Sequence, residues 1–265
     1  MHKPTQHHAK WLAFGVLAAA LPGAIAGPRD FPPGVEQKVL VSAGQRHSYY
    51  RFIPPRAAVN APLPLLVVMH GAGGSGLDQI EAWRAAAEEK QFILLGPNIP
   101  NSAAAWDELY DHPEWIHEAV GEISREHPVD VRRMYLWGYS AGGMFSFYLA
   151  FLESRYFAAA AVHGAVIENF KYQMADFAER RLPIAYYIGT RDQWWPVEKT
   201  RASRDALLAR GFPVHYVELP GADHNFLASA DVVTRDAWAF FNRYALDRDP
   251  RFDPPDLARI KRALR

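Results

Sequence analysis

The chain has 265 residues, of which 49% are hydrophobic and 22% charged, and its formal net charge is +0. This composition predicts a folded protein with a sizeable core, and the charge balance gives no indication of a nucleic-acid partner. The sequence contains no cysteine, which excludes disulfides, thiolate metal sites and a cysteine nucleophile.

The amino-terminal segment has the organisation of a secretory signal peptide. Lys3 and Lys10 lie in a polar start, residues 11–21 are apolar, and residues 24–26 read Ala-Ile-Ala, an Ala-x-Ala cleavage site. The alternative is an uncleaved membrane anchor, but the apolar run is shorter than the about 20 residues that a helical span needs. We therefore predict that residues 1–26 are removed, that the protein is secreted or periplasmic, and that no stable membrane anchor remains.

The rest of the chain predicts one α/β domain over residues 27–246 and a charged surface tail over residues 247–265. Predicted strands cover residues 35–41, 47–53, 65–69, 92–95, 132–137, 157–162, 183–188 and 214–219. Predicted helices cover residues 78–90, 113–126, 141–153, 197–210 and 231–246. This alternation is typical of a mostly parallel, doubly wound sheet with helices on both faces.

Two features refine this architecture. The first two strands flank Ser42-Ala43-Gly44-Gln45, which predicts an antiparallel hairpin at the amino-terminal end. Residues 164–182 form a short connection, so we expect at most a minimal lid. Ligands of doubly wound sheets bind at the carboxyl ends of the strands. The polar residues at those ends are His70, Asn98, Ser140, His163, Asp192 and the loop 220–226.

The pentapeptide Gly138-Tyr139-Ser140-Ala141-Gly142 lies between a predicted strand and a predicted helix. A Gly-x-Ser-x-Gly sequence in this context predicts a sharp, strained turn that exposes its serine as a nucleophile. The amino terminus of the following helix favours developing negative charge. The alternative is a flexible Gly/Ser loop. A serine hydroxyl is a weak nucleophile by itself, so this interpretation requires a base and a group that orients the base.

Asp192 and His224 are the predicted partners of Ser140. Asp192 follows the strand 183–188 through Gly-Thr-Arg, and His224 lies in the loop after the last strand. The order Ser, Asp, His is that of an α/β-hydrolase. In this hypothesis His224 accepts the Ser140 proton and then protonates the leaving group, while Asp192 holds the imidazole tautomer.

Other histidines and one aspartate are weaker candidates. His163 precedes the expected acid, and His215 lies inside a strand pattern. Three further histidines near a predicted helix are expected to face solvent: His112, His117 and His127. Asp223 is the rival acid, although side chains of adjacent residues such as Asp223 and His224 rarely meet in the required geometry.

The loop His70-Gly71-Ala72-Gly73-Gly74-Ser75-Gly76 follows the first buried strand. Its glycines leave backbone N–H groups unobstructed, and the N–H groups of Ala72 and Ala141 are the predicted oxyanion hole. The same loop satisfies the dinucleotide pattern Gly71-x-Gly73-x-x-Gly76. That pattern expects a carboxylate about 20 residues further on, where this chain has Gly96-Pro97-Asn98. We therefore favour the oxyanion hole and expect no cofactor.

Aromatic residues near the predicted site are candidates for substrate binding. Trp194 and Trp195 directly follow the acid, and Tyr139 is the variable residue of the pentapeptide. Trp106 and His70 are further candidates. The alternative is that the tryptophans pack under the next helix. An uncovered, aromatic-walled site suits bulky, polymeric or aromatic substrates better than long-chain lipids. No cluster of histidine and carboxylate residues indicates a metal site.

His70-Gly71, the pentapeptide 138–142, Asp192 and His224 together resemble the α/β-hydrolase superfamily. More narrowly, the chain is similar to secreted esterases related to polyhydroxybutyrate depolymerases and to feruloyl and acetylxylan esterases, over about residues 35–244. Trp106-Asp107 and the segment 129–135 add to the resemblance, and so does Pro196 four residues after the acid. The chain departs from these relatives in lacking disulfides and in placing two tryptophans before that proline.

The resemblance implies that the domain over residues 27–246 hydrolyses carboxylic esters without a cofactor. With an open, aromatic-walled site, we expect short-chain or aromatic acyl esters, either small molecules or linked to a polysaccharide or polyester. Two other functions remain open at this point. A serine peptidase uses the same triad on amides. A non-catalytic binding protein with this fold usually lacks a triad residue, and here all three are present.

Overall fold

The computed structural model describes residues 31–55, 61–99, 106, 114–167, 169–252 and 262, with the backbone alone for residues 169–171. The predicted signal peptide and most of the predicted tail lie outside the described residues. The strands are β1 Val35–Ser42, β2 Gln45–Phe52, β3 Leu63–Met69, β4 Ile93–Pro97, β5 Val129–Tyr139, β6 Ala159–His163, β7 Ile184–Gly189 and β8 Val214–Leu219. The α-helices are α1 Gly76–Lys90, α2 Glu114–Glu126, α3 Ala141–Leu152, α4 Val197–Ala209 and α5 Ala230–Phe241.

The eight strands form one sheet in the order β1-β2-β4-β3-β5-β6-β7-β8. β1 pairs antiparallel with β2, β2 pairs antiparallel with β4, and all remaining pairs are parallel. The predicted amino-terminal hairpin and the mostly parallel, doubly wound sheet are thus confirmed. β5, which leads to Ser140, lies between β3 and β6, so the loops after these three strands meet at one edge of the sheet.

Composition explains why the central strands form. All seven residues of β3 are buried, as are all five residues of β6 and all six of β7. Strands covered on both faces must be apolar throughout, which is why they read as continuous runs instead of alternating patterns. α3 is also apolar on nearly every side, as expected for a helix packed into the interior of a layered domain.

The two faces of the sheet carry different cores. On one face Trp137 of β5 contacts Trp83 of α1 at 5.1 Å between ring centroids and Phe226 at 4.8 Å. Phe241 of α5 stacks on Tyr135 of β5 at 4.9 Å. The opposite face packs against α3, where Phe147 contacts Tyr186 of β7 at 5.4 Å. Helices therefore cover both faces, as the alternation predicts.

α2 is held to the hairpin by a row of glutamates spaced four residues apart, which places them on one side of the helix. Ser42 donates to Glu118 at 2.8 Å, and Tyr49 donates to Glu122 at 2.8 Å. Further along the same row, the buried Arg51 guanidinium forms an ion pair with Glu126. These polar pairs join β1 and β2 to α2, in addition to the apolar contacts that the buried residues of the helix make.

The last helix is shorter than predicted. The sequence predicts a helix over residues 231–246, but α5 ends at Phe241. Beyond it the chain runs back along β5: the Tyr244 carbonyl accepts a hydrogen bond from the Tyr135 hydroxyl at 2.8 Å, and the Leu246 N–H donates to the Arg132 carbonyl at 2.9 Å. The backbone after Phe241 therefore bonds to β5 instead of continuing the helix.

The connection 164–182 packs down on the domain. Within it lies a 3₁₀ helix, Asn169–Phe177, and Met174 and Ala175 are buried. Ser203 of α4 accepts a hydrogen bond from the Ile167 N–H at 3.0 Å, which ties the start of the connection to that helix. Among the described helices, none is both long and apolar enough to cross a membrane.

Gly96 and Gly121 offer a matched test of this packing. A Cβ atom on Gly96 of β4 would lie 2.5 Å from the Gly76 carbonyl oxygen, whereas one on Gly121 of α2 would meet only Arg125 Nη1 at 3.7 Å. We expect Gly96→Ala to lower the free energy of unfolding by about 2 kcal/mol through overpacking. Gly121→Ala should raise it by about 0.5–1 kcal/mol through helix propensity. Urea denaturation of both variants measures this, and equal effects would contradict the close approach of α1 to β4.

Candidate active site

The turn at Ser140 has the strained backbone that the pentapeptide predicts. Ser140 has φ 53° and ψ −119°, outside the regions that a residue with a side chain normally occupies. Its N–H donates to the His163 carbonyl at 2.9 Å. Cβ atoms on Gly138 and Gly142 would overlap neighbouring backbone. The two glycines therefore allow α3 to begin directly against the ends of β3 and β5.

Ser140, His224 and Asp192 come together at the carboxyl ends of β5, β7 and β8. His224 Nδ1 lies 2.7 Å from Asp192 Oδ2, and His224 Nε2 lies 2.9 Å from Ser140 Oγ. Because a carboxylate only accepts, the neutral ring carries its proton on Nδ1 and accepts the Ser140 hydroxyl at Nε2. Base and nucleophile are within hydrogen-bonding reach, as nucleophilic catalysis requires.

Asp192 is held by backbone donors. Its side chain is fully buried, and its Oδ1 accepts the N–H groups of Trp194 at 2.9 Å and Trp195 at 2.8 Å. With His224 Nδ1 on the other oxygen, the carboxylate has three donors that compensate for its removal from water. The acid is therefore fixed in orientation before any substrate binds.

The rival acid and one rival base have other partners. Asp223 is exposed, and its Oδ1 accepts the Asn225 N–H at 2.8 Å. His215 Nε2 lies 2.9 Å from Asp236, which also accepts the Tyr187 hydroxyl at 2.6 Å. These contacts lie within separate local networks, so the geometry favours Asp192 and His224 as the partners of Ser140.

The expectation that His117 faces solvent is wrong. Its side chain is 9% exposed, its Nε2 lies 2.6 Å from Glu153 Oε2, and its ring stacks on Phe252 at 3.6 Å between centroids. His117 lies three residues before the buried Val120, and residues three apart are neighbours on one side of a helix, so α2 turns this side chain toward the core. His127 is partly exposed, and His112 lies outside the described residues.

His163 is buried beside the three residues but bonds to none of them. It is fully inaccessible, its ring packs against Tyr139 at 5.9 Å and Phe226 at 5.6 Å, and neither ring nitrogen has a hydrogen-bond partner among the described residues. Burial, with a smaller contribution from the charge of His224, lowers the pKa of His163 to about 4. A neutral His163 therefore lines the back of the site near neutral pH.

The loop after β3 lies against Ser140. A Cβ atom on Gly71 would come within 3.2 Å of Ser140 Cβ. The Gly71 carbonyl accepts His70 Nδ1 at 2.7 Å and the Gly74 N–H at 3.1 Å. Burial lowers the pKa of His70, which favours the neutral ring with its proton on Nδ1. His70 thus braces the turn that carries Ala72 and shows only 1% of its surface.

Asn98 at the end of β4 also serves the local structure. Its Oδ1 accepts the Gly76 N–H at 2.7 Å, and its Nδ2 donates to Ser48 Oγ at 3.1 Å. These bonds join the start of α1 to β2. Ser75 and Asp78 complete a capping box at the same helix terminus.

The aromatic candidates differ in accessibility. Trp194 is 67% exposed, and its ring centroid lies 6.4 Å from that of His224. Trp195 is partly buried. Tyr139 is half-buried and packs at 5.3 Å from the His224 ring. Trp106 is only 7% exposed and donates its indole N–H to the His70 carbonyl at 2.8 Å, so it offers little surface for stacking a substrate.

Two neighbours of His224 were not identified from the sequence. Gly164 has φ 58°, and a Cβ atom there would lie 3.0 Å from His224 Cε1. Gln193 Oε1 accepts the His224 N–H at 3.3 Å. A glycine directly after a buried strand is the signal that could have indicated Gly164. Gln193 has no comparable sequence signal.

A mostly parallel sheet, an amino-terminal hairpin and a strained Gly-x-Ser-x-Gly turn between β5 and α3 define an α/β-hydrolase fold. Residues 53–244 match the profile of the dienelactone hydrolase family. Since this match covers most of the chain, the protein belongs to that family.

Curated relatives are similar over part of their length. The chain is 26% identical over 153 residues to a bifunctional acetylxylan esterase/xylanase of Neocallimastix patriciarum. That alignment covers 56% of this chain and 22% of the relative. It is 28% identical over 130 residues to feruloyl esterase B of Thermothelomyces thermophilus, and that alignment covers 44% of this chain and 43% of the relative. The matches thus span less than half the length of these relatives.

Solved structures share the fold at low sequence identity. A ferulic acid esterase of Anaeromyces mucronatus in complex with ferulic acid superposes with a TM-score of 0.63 and 14% identity, covering 79% of this chain and 91% of that one. An S-formylglutathione hydrolase of Staphylococcus aureus superposes with a TM-score of 0.65 and 17% identity. The superposition covers 78% of this chain and 98% of that one. These similarities place the chain among structures of the same architecture.

The lowered pKa of His163 predicts a pH-dependent stability. Between about pH 4 and 6.5 the unfolded chain binds a proton at His163 that the folded chain does not. The free energy of unfolding therefore falls as the pH drops through this range. The His163→Phe variant has no titratable group at this position. Between pH 7 and pH 5 its free energy of unfolding should therefore fall by about 2 kcal/mol less than that of the wild type. Urea denaturation at both pH values measures the difference, and equal losses would contradict a buried, neutral His163.

Proposed function

We propose that the chain is a secreted serine carboxylesterase that forms an acyl-enzyme at Ser140. The observation that carries the proposal is the position of His224, which lies 2.9 Å from Ser140 Oγ and 2.7 Å from Asp192 Oδ2. The ester-hydrolase names of the relatives support the reaction type. The signal-peptide pattern of residues 1–26 supports secretion.

Acylation begins at the hydroxyl of Ser140. Ser140 Oγ attacks the ester carbonyl carbon while its proton passes to His224 Nε2. The resulting imidazolium is stabilised by Asp192, whose carboxylate is excluded from water and fixed by two further N–H donors. When the tetrahedral intermediate collapses, His224 returns the proton to the leaving alkoxide, and the alcohol departs. The acyl group is then bound to Ser140 Oγ.

The charge on the tetrahedral oxygen requires donors near Ser140. The first N–H groups of a helix have no acceptor within that helix, and Ala141 is the first residue of α3. The Ala72 N–H belongs to the braced turn that contacts Ser140 through Gly71. Ala141 and Ala72 are therefore the proposed oxyanion donors, and a single such donor contributes about 3 kcal/mol to the transition state.

Deacylation repeats the same steps with water. His224 accepts a proton from a water molecule, which attacks the acyl carbon, and Ala72 and Ala141 again stabilise the oxyanion. Protonation of Ser140 Oγ by His224 then releases the carboxylic acid and restores the free enzyme. The cycle consumes one water per ester and requires no cofactor.

The surroundings of the triad favour an ester with a short-chain or aromatic acyl group, free or linked to a polymer. The exposed Trp194 ring stands 6.4 Å from His224 and provides a flat apolar surface. The connection 164–182, which is where a lid would arise, is short and packed against α4. One relative is named a feruloyl esterase and another an acetylxylan esterase, which is consistent with aromatic and short acyl groups.

Substitution of the three residues tests the mechanism. We expect Asp192→Asn to lower kcat about 10⁴-fold, and Ser140→Ala and His224→Ala to lower it further. Asp223→Asn is the matched control, because it makes the same change in an exposed carboxylate one residue from His224. Hydrolysis of p-nitrophenyl acetate measures all four variants. A large loss in Asp223→Asn with normal rates in Asp192→Asn would assign the acid to Asp223.

Trp194 tests the substrate class. One good aromatic contact is worth about 0.5–1.5 kcal/mol, so Trp194→Ala should raise KM for methyl cinnamate about 2- to 10-fold. KM for ethyl acetate should change less than about 2-fold, because its acetyl group has no ring to stack. Trp194→Phe retains an aromatic ring and should keep most of the preference. Equal changes for both esters, or high activity on emulsified long-chain triglycerides, would rule out an aromatic-walled open site.

A further inference from the structure

We propose that Trp106 is a positioning residue of the oxyanion hole, which holds the loop after β3 against the start of α3. This inference rests on the proposed ester hydrolysis. The two proposed donors, Ala72 and Ala141, belong to different elements, and their spacing must be fixed for both N–H groups to reach one oxygen. Trp106 contacts both elements with a single side chain.

The contact with the loop is a buried hydrogen bond. Trp106 Nε1 donates to the His70 carbonyl at 2.8 Å, and the two residues are 7% and 1% exposed. With water excluded, this bond has no solvent competitor, and its loss would leave a buried acceptor without its partner. The indole also packs on the imidazole of His70, with 5.2 Å between ring centroids.

The His70 carbonyl is the point at which loop and helix meet. A Cβ atom on Gly142 would lie only 2.5 Å from the His70 oxygen, so this carbonyl sits directly against the first turn of α3. The next residue, Gly71, contacts Ser140 and closes the turn that carries Ala72. A shift of the carbonyl would therefore move Ala72 relative to Ser140.

The contact with the helix is a stacked ring pair. Trp106 lies parallel to Phe145 of α3, with 5.0 Å between ring centroids and an interplanar angle of 18°. Phe145 is four residues after Ala141, so both lie on the same side of the helix one turn apart. One indole thus joins the carbonyl of the oxyanion loop to the helix that supplies the second donor.

Trp106→Phe tests the hydrogen bond while keeping a ring that can stack on Phe145. Misplaced oxyanion donors affect the transition state more than substrate binding. We therefore expect kcat for p-nitrophenyl acetate to fall about 10-fold while KM changes less than about 2-fold. The affinity for phenylboronic acid, whose tetrahedral adduct with Ser140 uses the same donors, should fall by the same factor as kcat/KM.

Trp83→Phe is the matched control. Trp83 is fully buried, and its Nε1 has no hydrogen-bond partner among the described residues. The same substitution there removes a tryptophan from the core without removing a bond to the oxyanion loop. It should lower the melting temperature, as a core substitution does, while kcat and phenylboronic acid affinity stay within about 2-fold of wild type.

The outcomes separate this inference from the proposed function. Wild-type kcat and boronate affinity in Trp106→Phe would overturn the positioning role, and so would a rise in KM alone, which would indicate a substrate contact. Ester hydrolysis that does not depend on Ser140 in the wild-type protein would instead overturn the proposed function. Should Trp106→Phe fail to fold, 3-benzothienylalanine at position 106 replaces only the indole N–H by sulfur, and the same losses are expected.

Discussion

The close approach of backbone at the Ser140 turn is the constraint on which the rest of the structure depends. β3, β5 and α3 meet there at distances that leave no room for side chains at Gly138 and Gly142. Ser140 adopts a positive φ, a conformation that costs about 1–3 kcal/mol and that the surrounding sheet must offset. The hydrogen bond from its N–H to the His163 carbonyl extends the pairing of β5 with β6 into the turn. The strained geometry is therefore imposed by the most buried part of the domain.

A second constraint is the burial of the Asp192 carboxylate, which links the stability of the loops to the proposed chemistry. A buried carboxylate is costly unless donors compensate for the lost water. Asp192 receives two backbone N–H groups from the residues that follow it and one ring N–H from His224. The bond from His224 joins the loop after β8 to the loop after β7. Gly164 brings the loop after β6 into contact with the His224 ring, so the ring is confined from several directions.

Trp106 and Trp194 show how burial separates two roles for the same residue type. Both are tryptophans near the proposed site, and both are candidate substrate residues from the sequence alone. Trp106 is 7% exposed and bonds to the backbone of His70, whereas Trp194 is 67% exposed beside His224. A buried indole can hold neighbouring backbone in position, whereas an exposed indole provides a surface on which a substrate can stack. That difference is the basis for assigning one to positioning and the other to substrate contact.

The sequence by itself determined the order of strands and helices, the hairpin, and the placement of Ser140, Asp192 and His224 after strands. Periodicity and the Gly-x-Ser-x-Gly pattern are local signals, and parallel strands bring their carboxyl ends to one edge whatever the details of packing. Only the tertiary structure decided that α5 ends at Phe241, that the His117 side chain turns inward to Glu153 and that Trp106 bonds to the loop after β3. Each of these depends on a partner distant in the chain: Tyr135 and Arg132 for the end of α5, Glu153 for His117, and His70 for Trp106. Local sequence carries no information on such partners, because burial and hydrogen bonding at these positions are properties of the assembled layers.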